Sequence, residues 1–179
     1  MKIYTKTGDR GDTRLFDGTR TRKDDPRVNA YGDVDELNAF IGASMAWLND
    51  PVLVAMLADV QRDLFSVGAE LANPKSAEEK NERFHLDPKR ITVLENAIDG
   101  FETELPPLRQ FILAGGGPAG ALLHVARTVC RRAERRVVEL AARIAVDETV
   151  IKYLNRLSDF LFVLARLVNH RQGQQENPW

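Results

Sequence analysis

Residues 127–136 read Arg-Thr-Val-Cys-Arg-Arg-Ala-Glu-Arg-Arg. Five arginines and one glutamate share these ten residues with a core-forming pattern. Leu122, Ala126, Val129, Ala133, Val137 and Leu140 recur at spacings of three and four, which predicts a helix with one buried face. Arg127, Arg131 and Glu134 fall on an adjacent stripe at i, i+4 and i+7. Two roles fit such a stripe. Guanidinium groups beside a packed face can grip a polyanion in fixed geometry. The same groups can instead form a solvated surface laced by Glu–Arg pairs.

The helical pattern continues on both sides. Asp33, with Glu36 three residues later, has the form of a capping box, and Val34, Leu37, Ile41, Met45 and Leu48 follow as a first apolar stripe. Asp50-Pro51 reads as a cap followed by proline at the first helical position, ahead of Leu53, Leu57, Val60, Leu64, Val67 and Leu71. Asp87-Pro88 repeats that signal before Ile91, Leu94, Ile98 and Phe101. The fourth helix is expected from about Ala119 to Ile144. The fifth starts near Asp147, with Leu154, Leu157, Leu161, Leu164 and Val168 as its seam. Short links and no strand alternation predict an all-α five-helix bundle over residues 29–171 of one domain, 1–179. Residues 1–28 lack a helical period and read as an ordered or ligand-ordered loop. Residues 172–179 read as a mobile tail.

Composition narrows the function classes. The chain has 179 residues, 44% hydrophobic and 28% charged, ordinary values for a soluble globular domain. A net charge of −1 argues against general nucleic-acid binding, so any basic patch is local. The single cysteine, Cys130, rules out an intrachain disulfide and reads as a core filler. Lys2 is followed by polar residues rather than an apolar targeting segment, and no apolar run approaches membrane-spanning length. A cytoplasmic protein is the expectation.

Several motifs carry candidate chemistry. Gly115-Gly116-Gly117-Pro118-Ala119-Gly120 matches a dinucleotide fingerprint literally, but it lacks a βαβ unit and has proline in the turn. It reads as a flexible approach to a helix start, with N–H groups for an anion or simply for a turn. A short apolar piece, Phe111-Ile112-Leu113, precedes it. Thr5-Lys6-Thr7-Gly8-Asp9-Arg10-Gly11-Asp12-Thr13 combines glycines, hydroxyls and cations suited to phosphate, with Asp9 or Asp12 able to hold Mg²⁺ through water. A solvated basic arm fits those residues equally. No Walker A sequence is present. Asn155, Asp159, Phe162 and Arg166 form a mostly polar stripe on the fifth helix, where Arg156 and Asp159 could simply pair with each other. Asp35 and Glu36 could favour a helix start or hold an arginine of the fourth helix. His124 reads as a surface or interface residue. Glu82 and His85 spell E-x-x-H only once, which makes a ferritin-like di-iron bundle a weak alternative.

Four of these stretches together resemble a known family. Thr5-Lys-Thr-Gly-Asp9, Tyr31-Gly-Asp-Val-Asp-Glu-Leu-Asn-Ala39, Arg127-Thr-Val-Cys-Arg-Arg-Ala-Glu-Arg135 and Tyr153-Leu-Asn-Arg-Leu-Ser-Asp-Phe-Leu-Phe162 are similar, in the same order, to the PduO-type ATP:cob(I)alamin adenosyltransferases. One departure is Leu113-Ala114-Gly115-Gly116, where the family pattern has Leu-Pro-Gly-Gly. The resemblance implies a homotrimer with sites between subunits and the reaction of ATP with cob(I)alamin to give adenosylcobalamin and triphosphate. It implies that Thr5, Lys6, Thr7, Gly8, Thr13, Arg14, Lys23, Arg131, Arg132, Glu134, Arg135 and Asn155 surround ATP, with Mg²⁺ carried on its phosphates. Asp35, Phe111, Arg127 and Phe162 would shape the cobalamin side, with Phe111 wedged against the lower face of the corrin. Arg131, Phe111 and Asn155 would be the catalytic set. Protein partners compatible with this chemistry are a cob(II)alamin reductase and a B12-dependent mutase or dehydratase; nucleic acid and membrane are not expected. The rival class is a helical subunit that senses ATP or carries cobalamin without reacting.

Overall fold

Aspartate caps decide where most of the helices begin. In the computed structural model, which describes residues 3, 4, 6–74 and 85–179, α1 runs Pro26–Met45 and α2 runs Pro51–Ala72. α3 spans Lys89–Glu102, α4 Pro118–Ala141 and α5 Glu148–Arg171. Asp50 accepts from the N–H groups of Val52 and Leu53 at 2.9 and 3.3 Å. Asp87 accepts from Lys89 N–H at 2.9 Å, and Asp147 from Thr149 N–H at 2.8 Å. Each contact satisfies an amide that has no partner inside its helix.

The start of α1 differs from the sequence reading. It lies at Pro26, not Asp33, because Asp25 accepts from Arg27 N–H at 2.8 Å. Asp25-Pro26 is the same cap-and-proline signal that opens α2. Asp33, Asp35 and Glu36 therefore sit inside the helix, away from its positive end.

The five helices were expected; a small sheet was not. β1 (Asp12–Arg14) and β2 (Arg20–Arg22) pair antiparallel with Thr13 opposite Thr21. This hairpin is tied to the bundle by Phe16 N–H donating to the Ala72 carbonyl at 3.1 Å. Arg27 adds bonds to the carbonyls of Leu71 and Asn73, at 2.5 and 3.2 Å.

α1 packs on α2 and α4, α4 on α5, and α5 on α3. Leu37, Ile41, Leu57, Leu64, Leu123, Leu157 and Leu161 are fully enclosed between them. Burying each such side chain contributes about 1.5–3 kcal/mol relative to exposure. Cys130 is a core filler as expected: its thiol donates to the Leu154 carbonyl, and burial pushes its pKa up. One polar network crosses the core. The buried Tyr153 hydroxyl donates to Asp63 at 2.8 Å, and Arg90 reaches both oxygens of the same carboxylate at 2.9 and 2.8 Å. Among the described residues, no helix is long and apolar enough to cross a membrane.

The C-terminal segment, expected to be a mobile tail, makes backbone bonds to the loop before α4. Trp179 N–H donates to the Phe111 carbonyl at 2.9 Å, and Leu113 N–H to the Asn177 carbonyl at 2.8 Å. Glu176 accepts from the buried Arg166 at 2.6 Å, while the same guanidinium donates to the Pro106 carbonyl at 2.9 Å. Arg166 thus anchors two loops, because a buried guanidinium needs this many acceptors.

Candidate functional site

α4 carries two arginine faces. On one, Arg132 pairs with Glu36 and approaches Asp33 at 3.3 Å, so α4 is clamped to α1. Arg136 pairs with Glu139 at 3.1 Å and lies 3.8 Å from Asp33. On the other, Arg127, Arg131 and Arg135 follow one another at intervals of four and have no ion pair among the described residues. The Arg127 guanidinium lies 5.8 Å from the centroid of the Phe162 ring, and its buried Nε has no hydrogen-bond partner among the described residues. Burial, and then the neighbouring charge of Arg131, lower the Arg127 pKa. Arg127 is partly buried while Arg131 and Arg135 are exposed, and cations left without ion pairs in this way are suited to meet an anion.

That face borders a cleft of about 500 Å³. Arg127, Arg131 and His124 line it from α4, Arg156, Asp159 and Phe162 from α5, and Phe111 from the loop before α4. Phe111 is 80% exposed, so it is not a core residue. Its loop is held from behind. Asn169 accepts from Gly117 N–H at 3.1 Å and donates to the Gly115 carbonyl at 2.9 Å. Gly116 has φ +103°, which favours glycine, and a Cβ on Gly120 would overlap the Asn169 side chain. The glycine run is therefore a turn packed on an asparagine, and the Gly117 N–H is already spent on that asparagine.

His124 corrects the sequence reading. It is buried, with its ring centroid 6.1 Å from that of Phe162. Burial, and then Arg127, push its pKa down to about 4, so the ring is neutral near pH 7. Its spacing of three from Arg127 was the signal that it shares that cleft. On α5, Asn155 donates to Glu134 at 3.0 Å, which joins two of the expected ATP-binding residues across the α4–α5 seam. Arg156 pairs with Asp159 at 2.8 Å and with Glu95 at 3.0 Å.

The second region is the N-terminal segment. Lys6, Thr7, Gly8, Thr13, Arg14 and Lys23 line a hollow of about 960 Å³ together with Asp9, Arg10, Asp12 and Arg20. Five cations oppose two carboxylates there. Asp12 is paired with Arg20, and Arg14 donates to the Gly18 carbonyl within the hairpin. Lys6 adopts the left-handed backbone conformation, with φ 59°, at the start of the glycine-rich turn. Arg10, part of the glycine-rich constellation, and Arg20 are not among the residues that the resemblance assigns to ATP, yet both line this hollow. Thr5 lies outside the described residues.

The two regions share no lining residue. Asp35 lies apart from both, in an apolar hollow of about 380 Å³ formed by α1 and α2 with Tyr31, Asn38 and Phe65. Within one chain the structure brings Phe111, Arg127, Arg131 and Phe162 together, and Lys6 through Lys23 together. It brings neither group to Asp35.

The cobalamin adenosyltransferase family profile matches residues 3–168. A corrinoid adenosyltransferase of Bacillus subtilis is 47% identical over 97% of this chain and 89% of its own length. The corrinoid adenosyltransferase PduO of Citrobacter freundii is 46% identical over 97% of this chain, which spans 52% of that longer protein. Among solved structures, a variant PduO-type ATP:corrinoid adenosyltransferase from Lactobacillus reuteri, complexed with cobalamin and ATP, superposes with a TM-score of 0.93. It is 39% identical, and the match covers 99% of each chain.

Proposed function

Since the chain belongs to the cobalamin adenosyltransferase family, we propose that its two cation-rich regions divide the work of one alkyl transfer. The reaction moves the 5′-deoxyadenosyl group of ATP to the cobalt of cob(I)alamin. The Co(I) electron pair attacks C5′, the C5′–O bond breaks, and triphosphate leaves with the bonding electrons. No phosphoryl nucleophile is needed. The protein must orient C5′ toward cobalt and stabilise charge growing on the leaving oxygen.

Lys6, Thr7, Gly8, Thr13, Arg14 and Lys23, with Thr5, cradle the triphosphate. Mg²⁺ rides on those phosphates; Asp9 is the carboxylate suited to meet it through water, since Asp12 is tied to Arg20. Arg131 and Arg135 meet the charge that develops on the leaving group. Asn155, held by Glu134, orients the nucleoside. Arg132 acts as a positioning residue: its pairs with Glu36 and Asp33 fix α4 so that Arg131 points the other way. Phe111, Phe162 and Arg127 receive the corrin, and the exposed Phe111 ring excludes a lower ligand from cobalt. A neutral His124 keeps that wall from adding a further positive charge.

The whole chain works as one domain in a homotrimer, where the cradle of one subunit meets the arginine face of the next. Support comes from the separate placement of the two regions in one chain and from Asp35 lying on a third surface. The observation that carries the functional reading is the unpaired Arg127–Arg131–Arg135 face beside Phe111. The test is spectral: chemically reduced cob(I)alamin with MgATP should convert to the adenosyl form at a rate set by this protein. Binding of both substrates without conversion would leave a carrier and overturn the enzyme.

A further inference from the structure

The fold holds a cluster of ligand-type side chains that the adenosyl-transfer site does not use. Glu70 lies in the last turn of α2, His85 precedes α3, and Asp147 caps α5. Their ligand atoms all lie within 4.8 Å of one another. His85 Nδ1 is 3.7 Å from Glu70 Oε2 and 3.9 Å from Asp147 Oδ2.

These separations are too long for hydrogen bonds. They suit neighbouring ligands of one ion: metal–ligand bonds of about 2.0–2.2 Å place tetrahedral ligands roughly 3.3–3.6 Å apart. A second observation is independent of spacing. The Glu70 side chain is 10% exposed, and its Oε2 is buried with no hydrogen-bond partner among the described residues. A buried carboxylate oxygen without a partner costs several kcal/mol in general terms. Here that oxygen is aimed at an imidazole nitrogen and a second carboxylate. Asp147 Oδ1 accepts from Thr149 N–H at 2.8 Å, and its Oδ2 lies 3.9 Å from His85 Nδ1.

We propose that Glu70, His85 and Asp147 form a divalent-cation site, of Zn²⁺ type, separate from the Mg²⁺ carried by ATP. Two carboxylates with one imidazole are borderline-hard donors, which rank Zn²⁺ above Mn²⁺ and both above Mg²⁺. Three protein ligands leave a fourth position for water. The ion would join the end of α2, the segment before α3 and the start of α5. It would also brace the turn of α2 on which Arg27 and Phe16 anchor the N-terminal segment, through the carbonyls of Leu71, Ala72 and Asn73.

The test uses full-length protein stripped with chelator, without ATP or cobalamin. Zn²⁺, Mn²⁺ and Mg²⁺ are titrated separately by calorimetry, with melting followed alongside. One Zn²⁺ per chain is expected, with a rise in Tm that Mg²⁺ does not reproduce. Glu70→Gln and Asp147→Asn keep side-chain shape, and asparagine still caps α5. Each should lower Zn²⁺ affinity by ~10-fold or more and abolish the Tm rise, while the metal-free variants melt as folded proteins. Absence of Zn²⁺ binding overturns the proposal. So does Zn²⁺ binding that both variants leave unchanged, since the ion would then lie elsewhere.

Discussion

Arg131 and Arg132 are neighbours on one helix, yet they meet opposite surroundings. Arg132 faces α1, where Glu36 and Asp33 neutralise it. Arg131 faces the cleft beside Phe111 and has no ion pair among the described residues. A helix turns about 100° per residue, so adjacent side chains sample different walls. The salt-bridged reading of the arginine-rich stretch holds for the Arg132–Arg136 face, and the Arg127–Arg131–Arg135 face is the one that the proposed anion grip would use. What separates them is the supply of carboxylates from α1, some 96 residues away in sequence.

The largest expected effect tests that contrast directly. Arg131→Ala should lower turnover by ~10²-fold or more, as loss of an oxyanion donor does, with little change in Tm. Arg132→Ala should cost at most ~1 kcal/mol, since its pairs are partly exposed, and reduce turnover only several-fold. Equal losses of turnover in steady-state assays of both variants would erase the distinction between the faces.

Phe111 and Gly120 extend the comparison from α4 to its leading loop. Phe111→Ala removes an exposed ring, so Tm should hold. Adenosylation starting from cob(II)alamin and a reductant should fall far more than from preformed cob(I)alamin, which carries no firmly held lower ligand. Gly120→Ala acts from behind the loop. Its methyl group would collide with Asn169, at a cost of ~1–3 kcal/mol in denaturant melts, and both assays should decline together. A large drop in Tm for Phe111→Ala would return that residue to the core.

The smallest effect concerns pH. His124 has a folded pKa near 4 against 6.5 for the free side chain. Between those values the unfolded chain binds more protons, so stability is full above about pH 6.5 and declines as pH falls toward 4. His124→Gln should flatten the dependence of Tm on pH across that window; an unchanged slope would remove His124 as its source.

How much of this was legible depended on range along the chain. Caps act within three residues, so the starts of α2, α3 and α5 could be read directly. Asp25-Pro26 carried the same signal, but Tyr31 and Gly32 interrupt the apolar period and drew the reading to Asp33. The arginine stripe was legible from its spacing; its split into two faces depended on partners in α1. The contacts of the tail were not legible, because Glu176 and Asn177 gain meaning only from Arg166 and Leu113. The glycine run left an anion loop and a plain turn both open, because Asn169, which fills it, lies 52 residues away. The four family motifs covered both cation-rich regions at once, which is why function was readable where tertiary contacts were not.

The claim that these regions complete one site between subunits has a direct test in mixed trimers. Lys6→Ala/Lys23→Ala disables the cradle and Arg131→Ala the arginine face, and each variant alone should be nearly inactive. Co-expressed in equal amounts, they should recover about one quarter of wild-type activity, because about a quarter of randomly formed interfaces would pair an intact cradle with an intact arginine face. A mixture that sediments as trimers but is no more active than its parent variants would contradict a site shared between chains.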